Sequence, residues 1–237
     1  MSILCQVSGV KPLTDTILQV FLKPDQGTPI HYEAGQYVYL ELSNQQSLPF
    51  SIANAPLCNT DLEFHIRHTR DNPYTEQLLK DIAAGLPLRL HGPEGNCTYR
   101  SRDPQRPCLF LAGGTGFAPI KAMIEQALAD HIDQPIHLYW VARTPSELYC
   151  LELAEHWAKH VDQFYFTPII STAHPTWSGR IGLLPEHLNQ DFKDLSSIQV
   201  FAAGPNDLVL AAFQVCQQLG LPREHFLSDL FAFLPKP

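Results

Sequence analysis

The chain has 237 residues, 45% hydrophobic and 17% charged, an ordinary globular balance, and a prior of ~100 to 200 residues per domain makes it one large domain or two small ones. No apolar run approaches the ~18 residues of a membrane span, and the opening MSILCQVSGVKPL lacks the basic start and long apolar core of a secretion signal, so the expected location is cytoplasmic, with no membrane partner. A net charge of −8 without a cluster of Lys and Arg argues against nucleic acid, and the scattered cysteines (Cys5, Cys58, Cys97, Cys108, Cys150, Cys216) form no local zinc or iron–sulfur pattern and read as free, mostly buried thiols.

From residue 3 to about residue 90, short runs separated by turn residues predict strands: ILCQVSGV, TILQVFLK, QYVYLEL, LEFHIRH and PLRLH, each rich in β-branched and aromatic residues. Their spacing predicts a small antiparallel barrel or sandwich. One helix interrupts them from Thr75, with Leu78, Leu79, Ile82 and Ala83 on one face and Asn72 or Thr75 as its N-cap. Arg67, His68 and Arg70 stand ahead of it, either an anion site at a helix start or simply a charged surface. Residues 91–107 carry Gly, Pro and charge without an apolar period. They mark the boundary between one domain at 1–103 and a second at 104–237, and HGPEGN within them reads as a turn after a strand.

Beyond the boundary, strand and helix alternate. CLFLAGG is followed by FAPIKAMIEQALA, with Ile120, Met123, Ile124, Ala127 and Leu128 at helical spacing, and then by IHLYWVA, SELYCLELAEHWAKH, QFYFTPII, LLPEHLNQ, IQVFAAG and PNDLVLAAFQVCQQLG. This pattern predicts a parallel sheet covered by helices. The helix-spaced His156 and His160 lack the glutamate of a zincin, and no metal is expected. LAGGTGFAP, residues 111–119, sets Gly113, Gly114, Thr115 and Gly116 between a strand and a helix, either a ligand site at the strand's carboxyl end or a tight turn. It is neither G-x-G-x-x-G nor a Walker A loop. FAAGPND, residues 201–207, repeats the arrangement with Pro205 at the first helical turn, and two glycine-bearing strand ends in one sheet favour a shared crevice.

Taken in order, PFS (49–51), HIR (65–67), GPEG (92–95), AGGTGFAP (112–119), LYW followed by Arg143, and AAGP (202–205) resemble the ferredoxin–NADP reductase superfamily over nearly the whole chain. With the closing LSDLFAFL and no iron–sulfur segment, the chain is most similar to the bacterial NAD(P)H:flavin oxidoreductases, which include luciferase-associated flavin reductases. The resemblance implies a flavin-binding antiparallel β-barrel of Greek-key type, then an α/β parallel-sheet domain for NADPH or NADH, with the two rings meeting in the cleft between them. By the same resemblance Pro49 and Phe50 shape the flavin seat, and Ser51 hydrogen-bonds near N5, the hydride acceptor. His65, Ile66 and Arg67 border the ring and its tail, and Thr75 lies near the phosphates. Gly113, Gly114, Thr115 and Gly116 lie beside the nicotinamide, with Thr115 joining Ser51 as a catalytic candidate, and Gly204 and Pro205 line that crevice. Phe231 and Phe233 belong to the terminal segment that folds back toward the site, or to the core.

Most members of the superfamily have arginine where this chain has Leu48, a guanidinium that binds the flavin or its phosphate, and Arg67 or Arg70 is the alternative source of that charge here. A charge-assisted hydrogen bond is worth roughly 1.5 to 3 kcal/mol, ~10- to 100-fold in dissociation constant, so FAD, FMN or riboflavin is expected to bind weakly and exchange. Arg143, at the end of the second parallel strand, tolerates a ribose 2′-phosphate, and with Arg180 it leans the preference slightly toward NADPH or dual use. The expected activity is NAD(P)H:flavin reduction supplying a monooxygenase, a luciferase or ferric iron, by a monomer or homodimer. The alternatives are an FAD-retaining reductase that passes electrons to a separate protein, and a non-catalytic flavin or nucleotide sensor.

Overall fold

The computed structural model describes residues 2–25, 30–57, 61–69 and 72–233, with Phe233 described through its backbone alone. Cys58 and Arg70 lie outside the described residues. The chain forms two compact units, one of Met1–Arg100 with Lys121–Asp130, the other of Ser101–Ile120 with His131–Pro237.

The first unit is built on a six-stranded antiparallel sheet. Its strands are β1 (Ser2–Thr14), β2 (Ile17–Pro24), β3 (Tyr37–Glu41), β4 (Ser47–Ser51), β5 (Leu62–Arg67) and β6 (Leu88–Glu94), in the order β4-β3-β6-β1-β2-β5. The sheet curls into a half-barrel, so that beyond the end of β4 the Ala53 N–H donates to the Glu63 carbonyl of β5 at 2.7 Å. Alternation drives the curl, because Val20, Leu22, Val38, Leu40, Leu88 and Leu90 turn to one face and are buried there with Phe64 and Ile66. Full burial of each such side chain contributes about 1.5–3 kcal/mol. Helix α1 (Pro73–Ala83) adds Leu78 to this core. Its N-cap is Asn72, whose side chain accepts the Tyr74 N–H at 3.1 Å, and Pro73 occupies the first turn, where a missing N–H costs nothing.

In this unit two strand assignments depart from the sequence reading. β4 was not predicted, because Pro49 counts against a strand. β6 runs on through Gly92 to Glu94 where a turn was expected, and Glu94 pairs with Tyr37 after a bulge.

The second unit is a six-stranded parallel sheet. It comprises β7 (Cys108–Gly113), β8 (Ile136–Ala142), β9 (Phe164–Ile170), β10 (Arg180–Ile181), β11 (Gln199–Ala203) and β12 (Phe226–Leu227), in the order β10-β9-β8-β7-β11-β12. The helices are α2 (Phe117–Ala129), α3 (Leu151–His160), α4 (Leu184–Asp191), α5 (Asn206–Gln218) and α6 (Leu230–Phe233). α2 is divided: its first turn groups with this unit, and from Lys121 onward it groups with the first. β7 is buried along its whole length, and its neighbours are the next strand in sequence on one side and β11 on the other. The strand order therefore reverses beside β7, and in open α/β sheets ligands bind at the carboxyl ends of the strands flanking such a point. Among the described residues no helix is long and apolar enough to cross a membrane.

Candidate functional site

In the first unit, the phase of the sheet ladders decides what its two edges offer. The Ile52 N–H donates to the Gln36 carbonyl at 3.0 Å, and Tyr37 stands opposite Ser51. Ladder bonds in an antiparallel pair fall on alternate residues, here Gln36/Ile52, Val38/Phe50 and Leu40/Leu48. Pro49 and Ser51 therefore turn their backbone groups away from β3, which is why a proline is tolerated in this edge strand. On β5 the His68 N–H donates to the Thr16 carbonyl at 2.8 Å with Ile17 opposite Arg67, so His65 and Arg67 turn their backbone groups away from β2. Ser51 thus lies on one edge of the sheet and His65 and Arg67 on the other, each with its backbone groups turned away from the neighbouring strand.

The side chains sort differently. Leu48 and Phe50 are half-buried against the core of the unit, while Pro49 is exposed and Ser51 half-buried. Ile66 is wholly buried in the core. The Thr75 hydroxyl is buried and donates to the Asn72 carbonyl at 3.2 Å, locking the start of α1.

The His65 imidazole is turned inward, into a polar cluster absent from the sequence reading. Its Nε2 lies 2.8 Å from Glu63 Oε1, which also accepts from Gln19 at 2.7 Å. Lys121 of α2 reaches Glu63 at 2.9 Å, Glu125 at 2.7 Å and the carbonyl of Ala53 at 3.0 Å. Glu125 accepts the Ala55 N–H at 3.0 Å, and the Asn54 side chain accepts the Glu63 N–H at 2.9 Å. Glu63, His65 and Lys121 are all buried. Burial alone would push the Glu63 carboxyl up, but the hydrogen bond from His65, the Lys121 ammonium and the bond from Gln19 outweigh it and hold the carboxyl at about 2. Burial holds the His65 imidazole below its ordinary range, so it is neutral, and facing an ionised Glu63 its Nε2 carries the proton. Lys121 keeps its charge, because Glu63 and Glu125 outweigh its burial. Two signals for the cluster stood in the sequence: Glu63 and His65 on the polar alternation of LEFHIR, and Lys121 and Glu125 four apart in an otherwise apolar helix.

In the second unit, Gly114–Gly116 form a single 3-10 turn between β7 and α2, leaving Thr115 half-buried at the strand's carboxyl end. The glycines here serve close backbone packing. A Cβ on Gly116 would stand 2.2 Å from the Ala203 carbonyl oxygen, and one on Gly204, whose φ is +144°, would stand 2.8 Å from the Gly113 Cα. Pro205 caps α5 against Gly113. The turns after β7 and β11 are thus pressed together, and the Trp140 indole donates to the Gly114 carbonyl at 3.0 Å. Both arginines considered for a 2′-phosphate are held by carboxylates. Arg143 reaches Glu147 at 2.8 and 3.0 Å, and Arg180 is paired with Asp191. Phe231 packs edge-on against Phe213 and Phe226, with the Arg223 guanidinium 4.0 Å above its ring, so it anchors α6 to the unit. The Phe233 side chain lies outside the described residues.

Comparison with known proteins matches residues 8–99 to the oxidoreductase FAD-binding domain and residues 110–213 to the oxidoreductase NAD-binding domain. An NAD(P)H-flavin reductase of Vibrio harveyi is 29% identical over 240 residues, covering 99% of this chain and all of that protein. The CDP-6-deoxy-L-threo-D-glycero-4-hexulose-3-dehydrase reductase of Yersinia pestis is 31% identical over 227 residues, covering 96% of this chain and 68% of its own. Among solved structures, an Amycolatopsis cytochrome P450 reductase superposes with a TM-score of 0.87 at 25% identity, over 97% of this chain and 69% of that one.

Proposed function

We propose that this chain, which belongs to the ferredoxin reductase family of FAD- and NAD-binding oxidoreductases, is an NAD(P)H:flavin oxidoreductase carrying out NAD(P)H + H⁺ + flavin → NAD(P)⁺ + dihydroflavin. The observation that carries the reading is the end-to-end similarity to the Vibrio harveyi flavin reductase, together with an open sheet edge bearing Ser51. When bound, the two cofactors supply the redox chemistry, a hydride passing from nicotinamide to flavin N5.

The protein's share is placement. Pro49, Phe50 and the outward backbone of Ser51, His65 and Arg67 seat the ring, and the Ser51 hydroxyl donates near N5. Ile66 supports the seat from within the core, and Thr75 secures the helix start near the flavin tail. Thr115, in the turn of Gly113, Gly114 and Gly116 beside Gly204 and Pro205, orients the nicotinamide, and Arg143 stands nearest the ribose. Leu48 leaves the flavin without the family's guanidinium, so it exchanges and leaves reduced, in the cytoplasm, for an oxygenase, a luciferase or ferric iron.

A second reading is favoured by the Yersinia relative, whose name makes it the reductase of a separate dehydrase. In that reading FAD stays bound and electrons pass to a protein partner. NAD(P)H oxidation with and without added riboflavin, FMN and FAD separates the two. Saturable dependence on added flavin is expected. A flavin-loaded protein indifferent to added flavin supports the second reading, and no oxidation in any mixture overturns both.

A further inference from the structure

We propose that Lys121 is a positioning residue for the reaction, holding the backbone that follows Ser51 in the geometry hydride transfer requires. This rests on the flavin reductase reading. Ser51 ends edge strand β4, and the ladder to β3 has one further bond beyond it, at Gln36/Ile52. The following backbone is fixed by Ile52 N–H donating to the Gln36 carbonyl, Ala53 N–H to the Glu63 carbonyl, Lys121 to the Ala53 carbonyl, the Tyr32 hydroxyl to the Asn54 carbonyl, and Ala55 N–H to Glu125. Two of those five bonds belong to Lys121 and the carboxylate it pairs with, 2.7 Å away. The charged groups facing Lys121 are Glu63 and His65 from β5 and Glu125 from its own helix, and the Tyr32 phenol lies close enough to feel both carboxylates.

A buried cation held only to stabilise the fold would be an inefficient device, because replacing a buried ion pair by packed apolar groups is often neutral or stabilising. A cation that also donates to a main-chain carbonyl two residues beyond Ser51 fixes a position, and a misplacement of ~1 Å at a reacting group costs up to ~100-fold in rate. Without Lys121, the Glu63 carboxyl loses its cation while remaining buried, so its pKa rises from about 2 and Glu63 adds a pH dependence of its own to the cluster.

The test compares wild type with Lys121→Met, which keeps the length and volume of the side chain, and with Lys121→Met/Glu63→Gln, which also removes the stranded charge. Steady-state kinetics with riboflavin as acceptor are run from pH 5 to 8 and normalised to folded protein by circular dichroism. The expected result is a ~10- to 100-fold fall in kcat for both variants, with KM for the nicotinamide nucleotide changed less than threefold. The single variant acquires an added pH dependence that the double variant lacks. If the single variant does not fold, the double variant carries the kinetic test. A folded variant with wild-type kcat and pH profile, or one whose loss lies wholly in melting temperature, overturns the role of Lys121 alone. A wild type that reduces no flavin overturns the function it serves as well.

Discussion

The turns after β7 and β11 carry glycines that the sequence leaves open between ligand approach and a tight strand-to-helix turn, and their close backbone contacts favour the second. Three alanine substitutions separate the possibilities. Gly85→Ala meets nothing within 4 Å but sits at φ +65°, so it tests left-handed strain alone, about 1–2 kcal/mol. Gly116→Ala has no such strain, but its Cβ would stand 2.2 Å from the Ala203 carbonyl oxygen, a backbone atom that cannot rotate away. Overpacking of this kind costs about 1–3 kcal/mol and sometimes more. Gly204→Ala combines φ +144° with a contact of 2.8 Å to the Gly113 Cα, so strain and overpacking add to roughly 2–5 kcal/mol. At ~2–4 °C per kcal/mol for a protein of this size, Gly204→Ala should melt ~4–20 °C below wild type, and Gly85→Ala only ~2–8 °C below. Differential scanning calorimetry on the ligand-free protein measures this directly. If Gly116→Ala and Gly204→Ala melt with wild type and lose only affinity for the nicotinamide nucleotide, the glycines serve the ligand and the packing argument is wrong.

Two further predictions concern the first unit. Both Glu63 and His65 have folded pKa values below their unfolded ones, so each contributes stability that is full above the unfolded value and is lost as pH falls through the folded one. His65 should begin to destabilise the fold below pH ~6.5, and Glu63 between pH ~4.3 and about 2, the latter by about 3 kcal/mol. Urea unfolding at stepped pH reads both, and a lower step that survives Glu63→Gln would assign it elsewhere. Separately, Leu48→Arg places a guanidinium at a half-buried position beside the proposed flavin seat, and should tighten FMN and FAD ~10- to 100-fold while leaving riboflavin within about twofold. Fluorescence quenching titrations with the three flavins check this, and equal tightening of riboflavin would remove the phosphate from the argument.

What was legible in the sequence followed from periodicity. The strands around Val20, Val38 and Phe64 and the helix around Leu78 announced themselves because one face of each is apolar at a fixed spacing, and the β7 and β11 turns because glycine interrupts buried runs. What was not legible depends on ladder phase and on long-range pairing, neither of which composition encodes. β4 escaped because Pro49 forbids a strand only where its missing N–H is needed, and the phase that spares it is set by Gln36 and Ile52 across the sheet. The second half of α2 escaped for a related reason. Its apolar residues read as one side of the parallel-sheet layer, yet Lys121 and Glu125 bind it to Glu63, Ala53 and Ala55, and those bonds draw residues 121–130 into the N-terminal unit. The resemblance sets His65 at the border of the flavin ring, and what the sequence did not show is that alternation along β5 turns its imidazole to the face it shares with Glu63. The proposed seat of main-chain groups would tolerate side-chain change, and the exacting positions would then lie behind it, in the polar cluster whose bonds hold residues 53 and 55.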